Sequence, residues 1–507
     1  MSILRTPAMA IFMLMLVSYA YFYQGGGSNQ NSRFDLVRAI VEDHSTRIDR
    51  FEHNTGDKAC RGPMGRCIQA RGPWDHYYSD KAPGSSWIAV PVYGVAYLLA
   101  GSDKPTSHDL NWWAYLCTVF AVGLPSAIAV SALFWLLGML GCSRLASAAL
   151  AIGYGLGTLA FPYATLFYGH QLASALVLIA FAFLVRERQG TALGAYGLVG
   201  VGALLGMSVV VEYPSALLLI ALLTYALSWM RPFSRLAWLA LGIAVPGLCC
   251  ALYHWMNFGH PFTLPYEFST KPHRSQGFFM GLGKPDMGVL KELLFGSFRG
   301  LLHAAPWLGA AAPGLLLWVR CPGHRAEAGV CVAAIVFFLW LNSSLVDCQG
   351  GWAMGPRYLI PALPFLVVLV AGLFTKQSFD GWFGIGGSLV RRISLGLAIV
   401  VFALAVRSGY WMLAGTAVFP QVPNKIEKPY AAFIMPKFQR GELALNLYGI
   451  DASESRAWNL GKKVFGLPGL TSLLPLFALQ FGTLLWLGWT LRRSDPKARR
   501  DVGGIGC

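Results

Sequence analysis

Charge is what this chain has least of: 13% of its 507 residues are Asp, Glu, Lys or Arg, where a soluble domain carries about a quarter. A water-exposed globular surface over this length is thereby excluded. Acids are scarcer than bases, 24 against 40, which leaves a net charge of +16. Nucleotide-binding signatures are also missing. There is no Walker sequence and no Rossmann glycine fingerprint, so neither an ATPase domain nor a soluble nucleotide-binding domain is indicated. The ten cysteines show no metal-ligand spacing. No internal repeat or inverted symmetry between halves is visible, a feature many transporters show.

What is present is apolar: 55% of the chain is hydrophobic, in repeated runs near twenty residues. That pattern reads as an all-α polytopic membrane protein. Spans are expected at 7–23, 111–141, 144–163, 170–185, 191–210, 213–230, 236–256, 301–319, 329–346, 358–375, 393–413 and 470–491, about twelve by the length rule. The first is read as a retained helix, because Gly25 to Gly27 offer no small-x-small cleavage site. The run 111–141 is long for one crossing, so it tilts or projects. Residues 86–101 are short and proline-interrupted, and read as an interfacial helix in the first outer loop.

Loop charges set the orientation. Arg5, Arg144, Arg186, Arg188, Arg231, Arg235, Arg320, Arg325, Arg391, Arg392 and the tail Arg492, Arg493, Lys497, Arg499 and Arg500 fall on one face, the cytoplasmic one, with both termini. This accounts for the net positive charge without a nucleic-acid partner. The outer face then carries loops 24–110, 257–300 and 414–469. Residues 1–375 read as a catalytic transmembrane module, and 376–507 as further helices with the third loop and a basic cytoplasmic tail. Cys60 and Cys67 are the close pair in the first loop, either a disulfide or two free thiols.

Several outer-face residues could do chemistry, each with an ordinary alternative. Asp35, in Ser32-Arg33-Phe34-Asp35, begins an amphipathic segment. It is a capping acid or a carboxylate that deprotonates an acceptor hydroxyl. In Tyr78-Ser79-Asp80-Lys81-Ala82-Pro83-Gly84, Lys81 suits a phosphate oxygen and Gly84 permits close approach; alternatively Asp80 caps the next helix and Lys81 snorkels. His170, after Tyr168 and Gly169, is a surface residue or a proton shuttle. Glu212 before Tyr213-Pro214 is a turn acid, or orients a sugar hydroxyl. In Gly350-Gly351-Trp352-Ala353-Met354-Gly355-Pro356-Arg357-Tyr358, Arg357 offers a planar fork for phosphate, while Trp352 and Tyr358 stack on a sugar or anchor the interface. In loop 257–300, Pro265-Tyr266-Glu267, Lys271 and Arg274 read as solvated surface, with Arg299 the residue to watch.

Taken together, these residues resemble the GT-C superfamily of polytopic glycosyltransferases, especially bacterial enzymes related to aminoarabinose transferases and protein O-mannosyltransferases. The motifs are the acid after the first helix, Tyr-Ser-Asp-Lys-x-Pro-Gly at 78–84, Tyr-Gly-His at 168–170 and Gly-Pro-Arg-Tyr at 355–358. The resemblance runs from Asp35 to near 375. It implies a GT-C-like helical bundle in a bacterial inner membrane and a polyprenyl-phosphate sugar donor. Transfer to a glycan, lipid or protein acceptor would occur on the periplasmic face, with inversion. By the same resemblance Asp35 is the catalytic base, and Asp80 and Lys81 are the acid-lysine pair at the donor phosphate. Arg357 matches a second phosphate-binding position, and His170 and Glu212 match substrate contacts more distantly; Tyr78, Trp352 and Tyr358 are read as substrate contacts from the residues themselves. No metal-ligand set is visible; superfamily members differ in using a divalent cation, so that cofactor stays open. Asp35, Lys81 and Arg357 are expected to line one cavity. The alternatives are a transporter or flippase of lipid-linked sugars, and a glycan ligase using a lipid-diphosphate donor.

Overall fold

The computed structural model describes residues 6–63, 65–67, 74–101, 105–271, 281–348, 350–375, 388–447 and 456–493, with side chains from 395 in the helix that begins at 388. Arg5, Arg274, the side chains of Arg391 and Arg392, and the tail beyond Arg493 lie outside the described residues.

The first apolar run forms α1 (Pro7–Ala20). Pro7 opens it, and the Thr6 hydroxyl accepts from the Met9 N–H. The chain then passes through a two-residue strand, β1 (Phe22–Tyr23), into the polar helix α2 (Ser28–Glu42). Next comes a small antiparallel sheet of β2 (Lys58–Gly62), β3 (Gly65–Arg66) and β4 (His76–Ser79), in the order β3-β2-β4. Cys60 and Cys67 are joined by a disulfide across this hairpin. Helix α3 (Gly84–Ala100) carries Pro91 inside it and exposes Val95, Leu98 and Leu99 at its far end. That apolar tip is what a helix lying in an interface presents.

Helix α4 (Ser107–Thr118) runs through a π turn at Val119–Gly123 into α5 (Leu124–Met139) as one continuous rod of 33 residues. At 1.5 Å per residue this is about 50 Å, against a hydrocarbon core of about 30 Å. The rod is thus too long for a perpendicular crossing, and it tilts or extends beyond the bilayer. The π turn sits just before Pro125, whose missing N–H an α-helical ladder would leave as a gap. There follow α6 (Arg144–Gly157), α7 (Ala160–Ala164), α8 (Gly169–Arg188), α9 (Ala195–Val211), α10 (Ala216–Trp229) and α11 (Ser234–Phe258). Helix α8 is the buried central post. Helices α9 and α11 press backbone to backbone: a Cβ on Gly202 would fall on the Leu239 carbonyl and the Gly242 Cα.

Seven described helices are long and apolar enough to cross a membrane, and four more apolar helices are shorter, against about twelve expected spans. The sequence runs differ from the helices where prolines or extended residues intervene. The 144–163 run stops at Gly157 and resumes as the short α7. The 301–319 run splits into Leu301–Ala304, a 3-10 turn at Pro306–Ala310 and Ala311–Arg320. Residues 325–343, 357–374, 388–418 and 474–493 complete the bundle, the last packed on α1 through Gln480 and Ser18. Strand β1 pairs with β5 (Trp458–Asn459), tying the segment after the first helix to the one before the last.

Ion pairs mark the two ends of the bundle. At one, Arg235 at the start of α11 meets Glu187 at the end of α8, and Arg188 meets Glu327. At the other, the starts of α2, α3 and α8 converge with the end of α9.

Candidate active site

Arg33 organises that second end. It is buried, and its guanidinium donates to Asn29 Oδ1 (3.1 Å), the Ala82 carbonyl (3.2 Å), Ser85 Oγ (3.1 Å) and Glu212 Oε1 (2.7 Å). One side chain thus ties α2, the start of α3 and the turn after α9. The turn Tyr78 to Gly84 can lie against α9 because residue 84 has no side chain: a Cβ there would sit 2.8 Å from the Val210 carbonyl and the Val211 nitrogen.

This packing places Lys81, which is 2% exposed, with its ammonium 2.7 Å from Asp57 Oδ2 and 3.0 Å from Asp80 Oδ1. Asp57 also pairs through Oδ1 with Lys271. Asp80 accepts a hydrogen bond from Ser269 Oγ at 3.0 Å. His170 Nδ1 lies 3.5 Å from Glu212 Oε1, and the His170 ring stands edge-on to Tyr358. The Arg357 guanidinium donates to the Tyr168 hydroxyl (3.2 Å) and lies over the Tyr168 ring. Tyr168 in turn donates to Gln421 Oε1 at 2.9 Å. Burial pushes the Glu212 carboxyl up, but His170, Arg33, Lys81 and Arg357 together outweigh it and hold it below the ordinary glutamate value.

Two chambers open among these groups. The first, about 380 Å³, has a polar end at Arg33, Lys81, His170, Glu212 and Arg357 and an apolar end at Leu217, Phe338, Trp340, Leu341 and Leu345. Trp340 is half exposed, so the apolar end reaches the outside of the bundle. The second, about 680 Å³, is lined by Ser28, Asp57, Lys271, Asp347, Gly351 and Trp352 among others. The chambers share Asn29, Asp347, Arg357 and Tyr358.

Of the residues singled out from sequence, Lys81, His170, Glu212, Arg357, Tyr358 and Trp352 line these chambers. Tyr78 does not: it packs on Phe258 beneath the small sheet. Asp80 is wholly buried behind Lys81. Asp35, expected in the same cavity as Lys81 and Arg357, lines neither chamber. It is fully buried and accepts from Asn54 Nδ2 at 3.1 Å. Its neighbour Lys58 has its ammonium pushed down by burial, opposed by the Asp35 charge. The reason is helical phase: Asp35 is two residues from Arg33, about 200° around α2, so when Arg33 faces the chamber Asp35 faces away. The carboxylates that do reach the chambers besides Glu212 are Asp57 and Asp347. Sequence reading passed over both. The signal for Asp57 was a repeat, Asp-Lys-Ala at 57–59 and again at 80–82.

For a metal, the described His, Cys, Asp and Glu side chains offer one close group, Cys60, Cys67 and Asp75, whose two sulfurs are bonded to each other. A cation on Asp57 would have to displace Lys81 or Lys271.

No family model matches the chain, and no curated protein matches it. Among solved structures it is similar to ArnT from Cupriavidus metallidurans bound to undecaprenyl phosphate, at 17% identity and a TM-score of 0.48, over 96% of this chain and 76% of that one. It is also similar to the Archaeoglobus fulgidus oligosaccharyltransferase tethered with an acceptor peptide, at 13% identity and a TM-score of 0.48, over 80% of this chain and 55% of that one. A third is the archaeal oligosaccharyltransferase AglB from the same organism with a dolichol-phosphate, at 10% identity and a TM-score of 0.42, over 80% and 56%.

Proposed function

We propose that the protein is a membrane glycosyltransferase that takes a sugar from a polyprenyl-phosphate carrier and passes it to an acceptor on the outer face, with inversion. The observation that carries this reading is the two-ended first chamber. Its cations, Lys81 and Arg357, suit a phosphate, and its apolar end, open to the bundle exterior at Trp340, suits a prenyl chain. Negative charge grows on the phosphate as it leaves the sugar, and buried cations fixed by Asp80 and Tyr168 offset it without reorganising. Tyr358 and Trp352, at and beyond the junction of the chambers, offer faces on which a sugar ring stacks.

The donor site lies within residues 1–375, the catalytic module of this reading. In this reading the end that carries Arg188 and Arg235 lies, with both termini, in the cytoplasm of a bacterial inner membrane and the chambers open on the periplasmic side; the excess of basic residues in the loops at that end supports it.

The test is turnover. Purified protein in nanodiscs, given polyprenyl-phosphate sugars and an envelope extract as acceptor, is expected to release unloaded polyprenyl phosphate, and Lys81→Met and Arg357→Met to abolish that release. Movement of intact donor between leaflets without consumption would overturn the proposal in favour of a transporter. Acceptance of lipid-diphosphate donors alone would favour a ligase.

A further inference from the structure

The Asp57–Lys81 pair joins the two chambers, and its geometry carries an inference that rests on the reading above. Lys81 lines the first chamber and not the second; Asp57 lines the second and not the first. Their charged groups are nonetheless 2.7 Å apart. Antiparallel pairing of β2 with β4 brings the two Asp-Lys-Ala segments side by side, with Lys58 opposite Ser79 and Ala59 opposite Tyr78. The Asp57 backbone is fixed from the other side, its carbonyl accepting from Ser32 Oγ at 2.5 Å. Asp57 is 4% exposed, and each carboxylate oxygen lies on an ammonium, Lys81 on one and Lys271 on the other. A carboxylate held by two cations is a poor proton acceptor.

We propose that Asp57 is the base for the acceptor hydroxyl in the second chamber, and that donor binding readies it. When the donor's phosphate takes up the Lys81 ammonium in the first chamber, Asp57 loses one of its two cationic partners and turns to the hydroxyl. In the reaction the acceptor oxygen bonds to the anomeric carbon as the bond from that carbon to the phosphate oxygen breaks. The electron pair leaves with the polyprenyl phosphate, and the hydroxyl proton passes to Asp57 and then to solvent. A chamber empty of donor would hold its base quenched by Lys81 and Lys271. The acceptor class that fits is a polyol such as a sugar unit, because the second chamber is walled by Ser28, Asp57, Lys271, Asp347 and Trp352.

The experiment uses full-length protein in nanodiscs and polyprenyl phosphate alone as the probe. If Asp57 competes with phosphate for Lys81, Asp57→Asn binds the probe about tenfold tighter than wild type and yet loses sugar transfer. A merely structural aspartate would give weaker binding on substitution. Wild-type protein that fails to bind the probe sinks the donor assignment, and the exchange with it. Probe binding with unchanged or weaker affinity in folded Asp57→Asn, or transfer that survives in it, overturns the exchange alone. Equal tightening in Asp347→Asn reduces the effect to bulk charge and also overturns it. If Asp57→Asn does not fold, Asp57→Asn with Lys271→Met restores the charge balance and is read in the same way.

Discussion

Replacing Glu212 with glutamine should disconnect the two halves of the site at a measurable cost. Glu212 accepts from Arg33 at 2.7 Å, and Arg33's other acceptors, Asn29 Oδ1, the Ala82 carbonyl and Ser85 Oγ, are uncharged. Removing a partner of a buried ion pair costs about 3–5 kcal/mol. Glutamine keeps the volume and one acceptor, so the expected loss is that of a charged hydrogen bond, about 1.5–3 kcal/mol. Arg33→Met added to Glu212→Gln should cost less than the sum of the two single changes, because the stranded guanidinium is gone. Thermal melting in detergent, followed by intrinsic fluorescence, reads all four proteins. The pH dependence has a definite sign. The folded Glu212 carboxyl lies below the ordinary glutamate value, so its contribution is fully present above that value and drains as pH falls through the lower, folded one. The glutamine variant should lack that component. A glutamine variant that melts with wild type at pH 7 and follows the same slope in acid would refute the reasoning.

Three further outcomes are expected. Gly84→Ala forces a Cβ to 2.8 Å from the α9 backbone and should cost about 1–3 kcal/mol by overpacking; because residue 84 follows Lys81 closely, polyprenyl-phosphate binding should fall with the melting temperature. Reducing Cys60–Cys67, seven residues apart, should cost about 2–3 kcal/mol from a loop this short. It should lower the melting temperature without reducing helical dichroism, and an unchanged melt would count against a stapled hairpin. Asp35→Asn keeps an acceptor for Asn54, so the fold should lose only about 1 kcal/mol; transfer that survives in it and is lost in Asp57→Asn places the base in the second chamber.

How legible the molecule was varies with the physics involved. Long apolar runs announce helices because the bilayer demands them, and α8, α11 and the 325–343 helix fall where the runs are. Breaks within runs were harder, since Pro306 and Pro313 act on a backbone whose neighbours decide whether it kinks or stops. Lys81 and Arg357 could be found because a lysine or arginine at a membrane boundary is costly unless used. Asp35 is costly there too, but its direction depends on the phase of α2, and that phase is set by Arg33 meeting Glu212 about 180 residues later. Asp57 escaped for a related reason: the pairing that brings it to Lys81 is made by β2 and β4, short strands with a disulfide loop between them. Local pattern shows which residues are unusual, and long-range packing decides which of them meet.

The most direct measurement is photo-crosslinking with a polyprenyl phosphate that carries a diazirine on its prenyl chain. The account predicts label at Leu217 or within residues 338–345, along the apolar wall that includes Phe338, Trp340 and Leu341. Unlabelled polyprenyl phosphate should compete that label away, and neutral polyprenol should not. Label elsewhere in the chain, or equal competition by polyprenol, would contradict a phosphate-selecting donor chamber.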